Sequence, residues 1–154
     1  MTLIQELMNQ AAVGGLLDTS MMKRFTPAEI RETIQELVAS EKIDLANALG
    51  DAGLSLYPHS EDILAITSLL AMVNQDWPLA VELIDELLDI QGDRTPAFTF
   101  VMMVRALRCN LDPARAIEMV RRGLSLYPDQ LELMAEKLAL DDFCGPLLPV
   151  GQRH

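Results

Sequence analysis

Apolar residues recur along this chain at intervals of three and four, and the rhythm is broken at regular places. Between Asp76 and Gly92, Leu83, Ile84, Leu87 and Leu88 fall on one face of a helix, while Glu82, Asp85, Glu86 and Asp89 fall on the other. Helix starts are marked in the same stretches. Thr26-Pro27-Ala28-Glu29 reads as a capping box with proline at the first helical position. Ser60 precedes Glu61-Asp62, acids placed to complement a helix dipole, and Asp76 stands as a cap before Trp77-Pro78. Thr95-Pro96 and Asp112-Pro113 repeat the cap-then-proline pattern. Stops are expected at Tyr57-Pro58, Gly92 and Tyr127-Pro128.

These elements repeat. Gly53-Leu54-Ser55-Leu56-Tyr57-Pro58 returns letter for letter as Gly123-Leu124-Ser125-Leu126-Tyr127-Pro128, 70 residues later. Ala46 and Ala116 keep the same spacing. Seventy is two periods of 34 plus two, and a middle copy sits 34 residues after the first, with Ala46 matched by Ala80 and Leu54 by Leu88. The two extra residues are assigned to the loop at Asn110-Leu111-Asp112. The repeats are then Pro27–Ser60, Glu61–Arg94 and Thr95–Gln130, each a pair of helices. Ala46, Ala80, Ala116, Gly53 and Gly123 mark close helix crossings, where a bulky side chain costs ~1–3 kcal/mol.

Outside the repeats, residues 1–22 read as a short amphipathic helix over Thr2–Val13 and a linker after Gly14-Gly15. Residues 23–142 form the repeat domain. It closes with a capping helix over Asp129–Asp142 that turns Leu131, Met134 and Leu138 inward and Glu132, Glu136 and Lys137 outward. Residues 143–154, with Gly145-Pro146 and Pro149, read as a flexible tail.

The 34-residue period, the small residue early in each second helix, another seven on and the proline five beyond resemble the tetratricopeptide repeat. The resemblance covers about Pro27–Gln130. In the first helices, Leu64 and Phe98 stand at the large-residue position and Ser68 and Met102 at the glycine position. The fold it implies is all-α: a superhelical stack of three tetratricopeptide-like helix pairs, with an N-terminal helix and a C-terminal capping helix. Such stacks bind partners on the concave wall. Carried over by position, that wall is Arg31, Gln35 and Val38, then Ala65, Leu69 and Met72, then Thr99, Met103 and Leu107. Methionine adapts to irregular apolar partners, so the wall suits an amphipathic helix. Only Arg31 matches the cationic residues with which repeat adaptors grip acidic tails. A narrower likeness, over Leu64–Asn110 and its turn Asn74-Gln75-Asp76-Trp77, is to type III secretion chaperones, which are small acidic repeat proteins.

Composition narrows the partner. The 154 residues suit one domain, and with 12 Lys and Arg against 23 Asp and Glu the formal charge is −11. A field of that sign repels phosphate backbones and anionic lipid. No nucleic acid, membrane insertion, cofactor or metal is expected. Cys109 and Cys144 have no metal-ligand spacing, and His59 and His154 are the only histidines. No P-loop, nucleophile elbow or dinucleotide turn is present, so the chain is not read as an enzyme. Residues 1–17 lack the basic start of a secretory signal, which makes a cytoplasmic location the expectation, a bacterial one where the secretion-chaperone likeness holds. Trp77, Arg105 and Arg108 are candidate interface residues, the arginines belonging to a basic cluster with Arg115, Arg121 and Arg122. The function expected is a protein-binding chaperone or adaptor that holds an apolar helix of a secreted or assembling subunit. The alternative is a structural homo-oligomeric subunit, a homodimer included, or a scaffold of a larger protein assembly.

Overall fold

The computed structural model describes residues 22–144. The helix expected at Thr2–Val13 and the tail beyond Cys144 lie outside them. Seven α-helices and no strands occur among the described residues: α1 (Pro27–Ala39), α2 (Ile43–Leu56), α3 (Glu61–Val73), α4 (Trp77–Gln91), α5 (Ala97–Cys109), α6 (Pro113–Leu126) and α7 (Leu131–Cys144), with a 3-10 turn at Gly92–Arg94. Their contacts group into two compact units, Met1–Asn74 and Gln75–His154.

The caps read from sequence form. Thr26 Oγ1 accepts the Glu29 amide at 3.1 Å while the Glu29 carboxylate accepts the Thr26 amide at 3.1 Å, a reciprocal pair that satisfies two orphan donors. Ser60 caps α3, Asp76 caps α4 and Asp112 caps α6, each accepting the amide three residues on. Thr95 does not cap α5. Its hydroxyl donates instead to the Gly92 carbonyl at 2.6 Å, and Pro96 takes the N-cap position without a side-chain bond.

The two extra residues are also not at Asn110–Asp112. The turns within each helix pair (Ser40–Lys42, Asn74–Asp76, Asn110–Asp112) all have three residues. Their middle residues, Glu41, Gln75 and Leu111, share left-handed φ values of 61°, 59° and 58°. The extra length lies earlier: α4 has 15 residues where α2 and α6 have 14, and its connection to α5 is one residue longer than that between α2 and α3. Gly92, at φ 53°, turns the chain there.

This places α1, α2 and α3 exactly 70 residues before α5, α6 and the start of α7. In each unit the first helix of the three packs on the second, the second on the third and the first on the third. Matched positions are buried in both units: Ile30 and Phe100, Ile34 and Val104, Leu37 and Leu107, Leu49 and Met119, Ile63 and Leu133, Leu70 and Leu140, each inside its own unit. In the first unit the Tyr57 hydroxyl donates to the Phe25 carbonyl at 2.8 Å, and in the second Tyr127 donates to Thr95 at 2.6 Å. Phe98, expected as the large buried residue of α5, is half exposed, and Phe100 takes the buried place.

The capping helix is rotated from expectation. Leu131, Met134 and Leu138 are exposed, whereas Leu133, Leu140 and the carboxylate of Glu136 are buried. A reading that sends every charge outward turns α7 the wrong way, because Glu136 finds two arginines inside.

Candidate functional site

Moving the two extra residues ahead of α5 changes which of its residues match the wall of α1 and α3. A shift of two positions turns a helix by roughly 200°. Thr99 and Met103 accordingly lie on the buried side of α5, at 2% and 0% exposure, and Leu107, one position before its corrected match, is also buried at 0%. Thr99 Oγ1 donates to Gln91 Oε1 at 2.9 Å. These three residues are core and present no wall. In the corrected register Gln35 and Leu69 are matched by Arg105, and Val38 and Met72 by Arg108.

In the first unit the matched positions form a cleft. Gln35, Val38 and Ala39 of α1 face Ile66, Leu69, Leu70 and Val73 of α3 across a space of about 300 Å3. Ile66 and Leu70 are buried as its floor, Val38 and Leu69 are half-buried, and Val73 is exposed. Except for Gln35 the lining is apolar. Arg31, at one end of the expected wall, is ion-paired through Nη1 with Asp62 of α3 and through Nη2 with Glu32 at 3.8 Å. Ala65 and Met72 are half-buried on α3 and do not line the cleft.

In the second unit the same position is closed by charge. Arg105 Nε donates to Glu136 Oε1 at 2.9 Å, and Arg105 Nη2 donates to Glu132 Oε2 at 3.3 Å. Arg108 Nη2 lies 3.2 Å from Glu136 Oε2. Glu136 stands where α3 has Ile66. The side chain of Glu136 is only 8% exposed, and those of Arg105 and Arg108 about 40%. The expected interface arginines are thus spent within the unit, bridging α5 to α7. Arg115 is likewise paired, its Nη2 donating to Asp85 Oδ1 at 3.0 Å. Trp77 is half-buried at the start of α4.

Among the described residues no group of three His, Cys, Asp or Glu side chains could hold a metal, and no helix is long and apolar enough to cross a membrane. Cys109 is a free, exposed thiol.

Antiparallel helices packed within each unit, with small residues at their crossings and three-residue turns of one conformation, make this a tetratricopeptide-like fold. Solved structures that share it include two of MamA. MamA AMB-1, in a C2221 crystal, superposes with a TM-score of 0.69 at 17% identity, covering 92% of this chain and 78% of that one. MamA MSR-1, in a C2 crystal, gives 0.69 at 14% identity, covering 92% and 84%. No protein-family model matches the sequence, and no curated protein matches it.

Proposed function

We propose that the protein is a non-catalytic protein-binding module whose receptor is the α1–α3 cleft. The observation that carries this reading is the contrast between the two units. One architecture, built twice, leaves an apolar cleft in the first unit and fills the same position with ion pairs in the second. An exposed apolar cleft gains by being covered, at ~25 cal/mol per Å2 removed from water before the cost of association. The occupant is an amphipathic helix of a partner protein. Its apolar face fills the space over Ile66 and Leu70, and its flanking charges are basic, to match a chain of net charge −11.

In its finer form the module is a cytoplasmic chaperone that masks such a helix until its owner assembles or is exported, and the secretion-chaperone resemblance of Leu64–Asn110 belongs to this form. The alternative, a scaffold subunit that places its own copies in the cleft, uses the same surface.

Capture from a lysate of the source organism is to be run in parallel with the native chain and with Val38→Glu/Leu69→Glu, both substitutions at half-buried positions. A protein bound at fixed stoichiometry by the native chain and lost by the variant, with the melting temperature retained, supports the cleft. Equal recovery by both overturns it. Light scattering separates the two forms: an oligomer of the native chain that the variant dissolves identifies the scaffold.

A further inference from the structure

Between α6 and α7 of the second unit lies a pocket, at a crossing where the matched helices of the first unit meet at a glycine. In the first unit α2 lies close on α3 at Gly50, where a Cβ would come 2.9 Å from Leu70 Cδ1 and 3.5 Å from Thr67 Cγ2. The matched residue of α6 is Val120. Between α6 and α7 there is a pocket of about 340 Å3, with Val120 and Leu140 buried in its floor and Ile117 and Leu124 in its walls.

The rim has changed sign as well. Where the first unit has Asp51 and Thr67, the second has Arg121 and Lys137. Asp141 and Ser125 complete the rim, and the Ser125 hydroxyl is engaged, donating to the Arg122 carbonyl at 2.7 Å. Arg121 and Lys137 are exposed, and among the described residues neither has an ion-pair partner. By contrast Arg31, Arg105, Arg108 and Arg115 are all paired. On an acidic chain, two unpaired cations over an apolar floor select a ligand with a carboxylate at one end and hydrocarbon at the other.

We propose that the α6–α7 pocket binds a small amphipathic carboxylate, its head on Arg121 and Lys137 and its acyl chain on Ile117, Val120 and Leu124. The volume lies at the small end of ligand pockets. It holds about ten groups the size of a water molecule, so the chain has roughly eight to ten carbons. The site shares no residue with the α1–α3 cleft and stands or falls apart from it.

The test is calorimetric titration of the full chain with decanoate below its micelle concentration, with decylammonium as the cationic counterpart. The expected result is saturable binding of one decanoate, weakened at least tenfold in Arg121→Ser/Lys137→Ser, and no binding of decylammonium. Absence of decanoate binding, equal binding by the double variant, or equal binding of decylammonium overturns the proposal. Amide chemical shifts of the native chain give a reading independent of any variant. Decanoate should move residues of α6 and α7, and shifts confined to α1 and α3 instead would also overturn it.

Discussion

The Tyr127 hydroxyl donates to the backbone carbonyl of Thr95 across 2.6 Å, tying the end of α6 to the residue just ahead of α5. The Phe100 ring lies 6.4 Å from the Tyr127 ring, tilted by 58°. Removing the hydroxyl leaves a part-buried carbonyl without its partner and deletes one bond of ordinary strength. Tyr127→Phe is expected to cost about 1 kcal/mol, a fall of roughly 2–4 °C in melting temperature. Thermal unfolding followed by circular dichroism measures it, and an unchanged midpoint would show that the bond contributes nothing net.

The ion cluster of the second unit should be costly to break and easy to replace. Glu136→Ala leaves two arginines facing an apolar gap. With those arginines about 40% exposed, solvent screens part of the loss, and the expected cost is about 1–3 kcal/mol. Exchanging all three residues for their first-unit counterparts (Arg105→Gln, Arg108→Val and Glu136→Ile) should restore stability to within about 1 kcal/mol of the native chain, because burying hydrocarbon avoids the desolvation of charge. Urea denaturation of the single and triple variants decides this, and a triple variant no better than Glu136→Ala would refute the equivalence of the two sites.

This cluster also explains what sequence reading reached and what it missed. The helices, most of their caps and the seventy-residue repeat were legible, because Thr26, Ser60, Asp76 and Asp112 are local signals and Gly53–Pro58 repeats exactly at Gly123–Pro128. Of the residues expected as wall on α1 and α3, Gln35, Val38 and Leu69 line the cleft, and Arg31, Ala65 and Met72 do not. The two extra residues, one in α4 and one in its connection to α5, carry no marker beyond Gly92, so a period of 34 ran on unbroken and sent the wall assignment to buried Met103 instead of Arg105. For α7 the signal pointed the wrong way, since a buried Glu136 looks like a surface residue until its partners on another helix are known.

Met103 and Leu69 therefore respond differently to the same change. Met103→Glu places a charge in a site with 0% exposure and no cation to meet it, and is expected to abolish cooperative unfolding. Leu69→Glu, at a half-buried position on the cleft, should leave the melting curve within about 0.5 kcal/mol of native and act on binding alone. A folded Met103→Glu protein would return that residue to the surface.

Gly50 and Gly123 sit three positions apart in the repeat and differ in what surrounds them. At Gly123 a Cβ would stand 2.8 Å from Leu133 Cδ1 and 3.1 Å from Phe100 Cβ, an atom that cannot move without its helix. Gly123→Ala should lose about 1–3 kcal/mol. At Gly50 the close atom is the end of the Leu70 side chain, which can turn away. The helix propensity of alanine, worth about 1 kcal/mol over glycine, then offsets the crowding, and Gly50→Ala should lie within about 1 kcal/mol of native. A reversal of this order in denaturation midpoints would contradict the packing described for the two crossings.

Leu111 is 80% exposed and held at φ 58°, a conformation costing an L residue about 1–2 kcal/mol. Leu111→Gly relieves that strain, while the greater freedom of glycine in the unfolded chain takes back part of the gain. A rise of about 0.5–1 kcal/mol is expected, read as an upward shift in denaturation midpoint at unchanged slope.

The shared phase of α1–α3 and α5–α7 has a consequence for how this molecule evolves. A lone receptor must keep its opening while holding its own structure together, and a change that helps one task can harm the other. Here the same three-helix frame exists twice in one polypeptide. The second copy is tied shut by Arg105, Arg108 and Glu136, so a change in the shape of the first opening leaves those ion pairs untouched. Each copy is also the other's blank: any ligand that truly recognises the opening between α1 and α3 must ignore its sealed twin in the same tube.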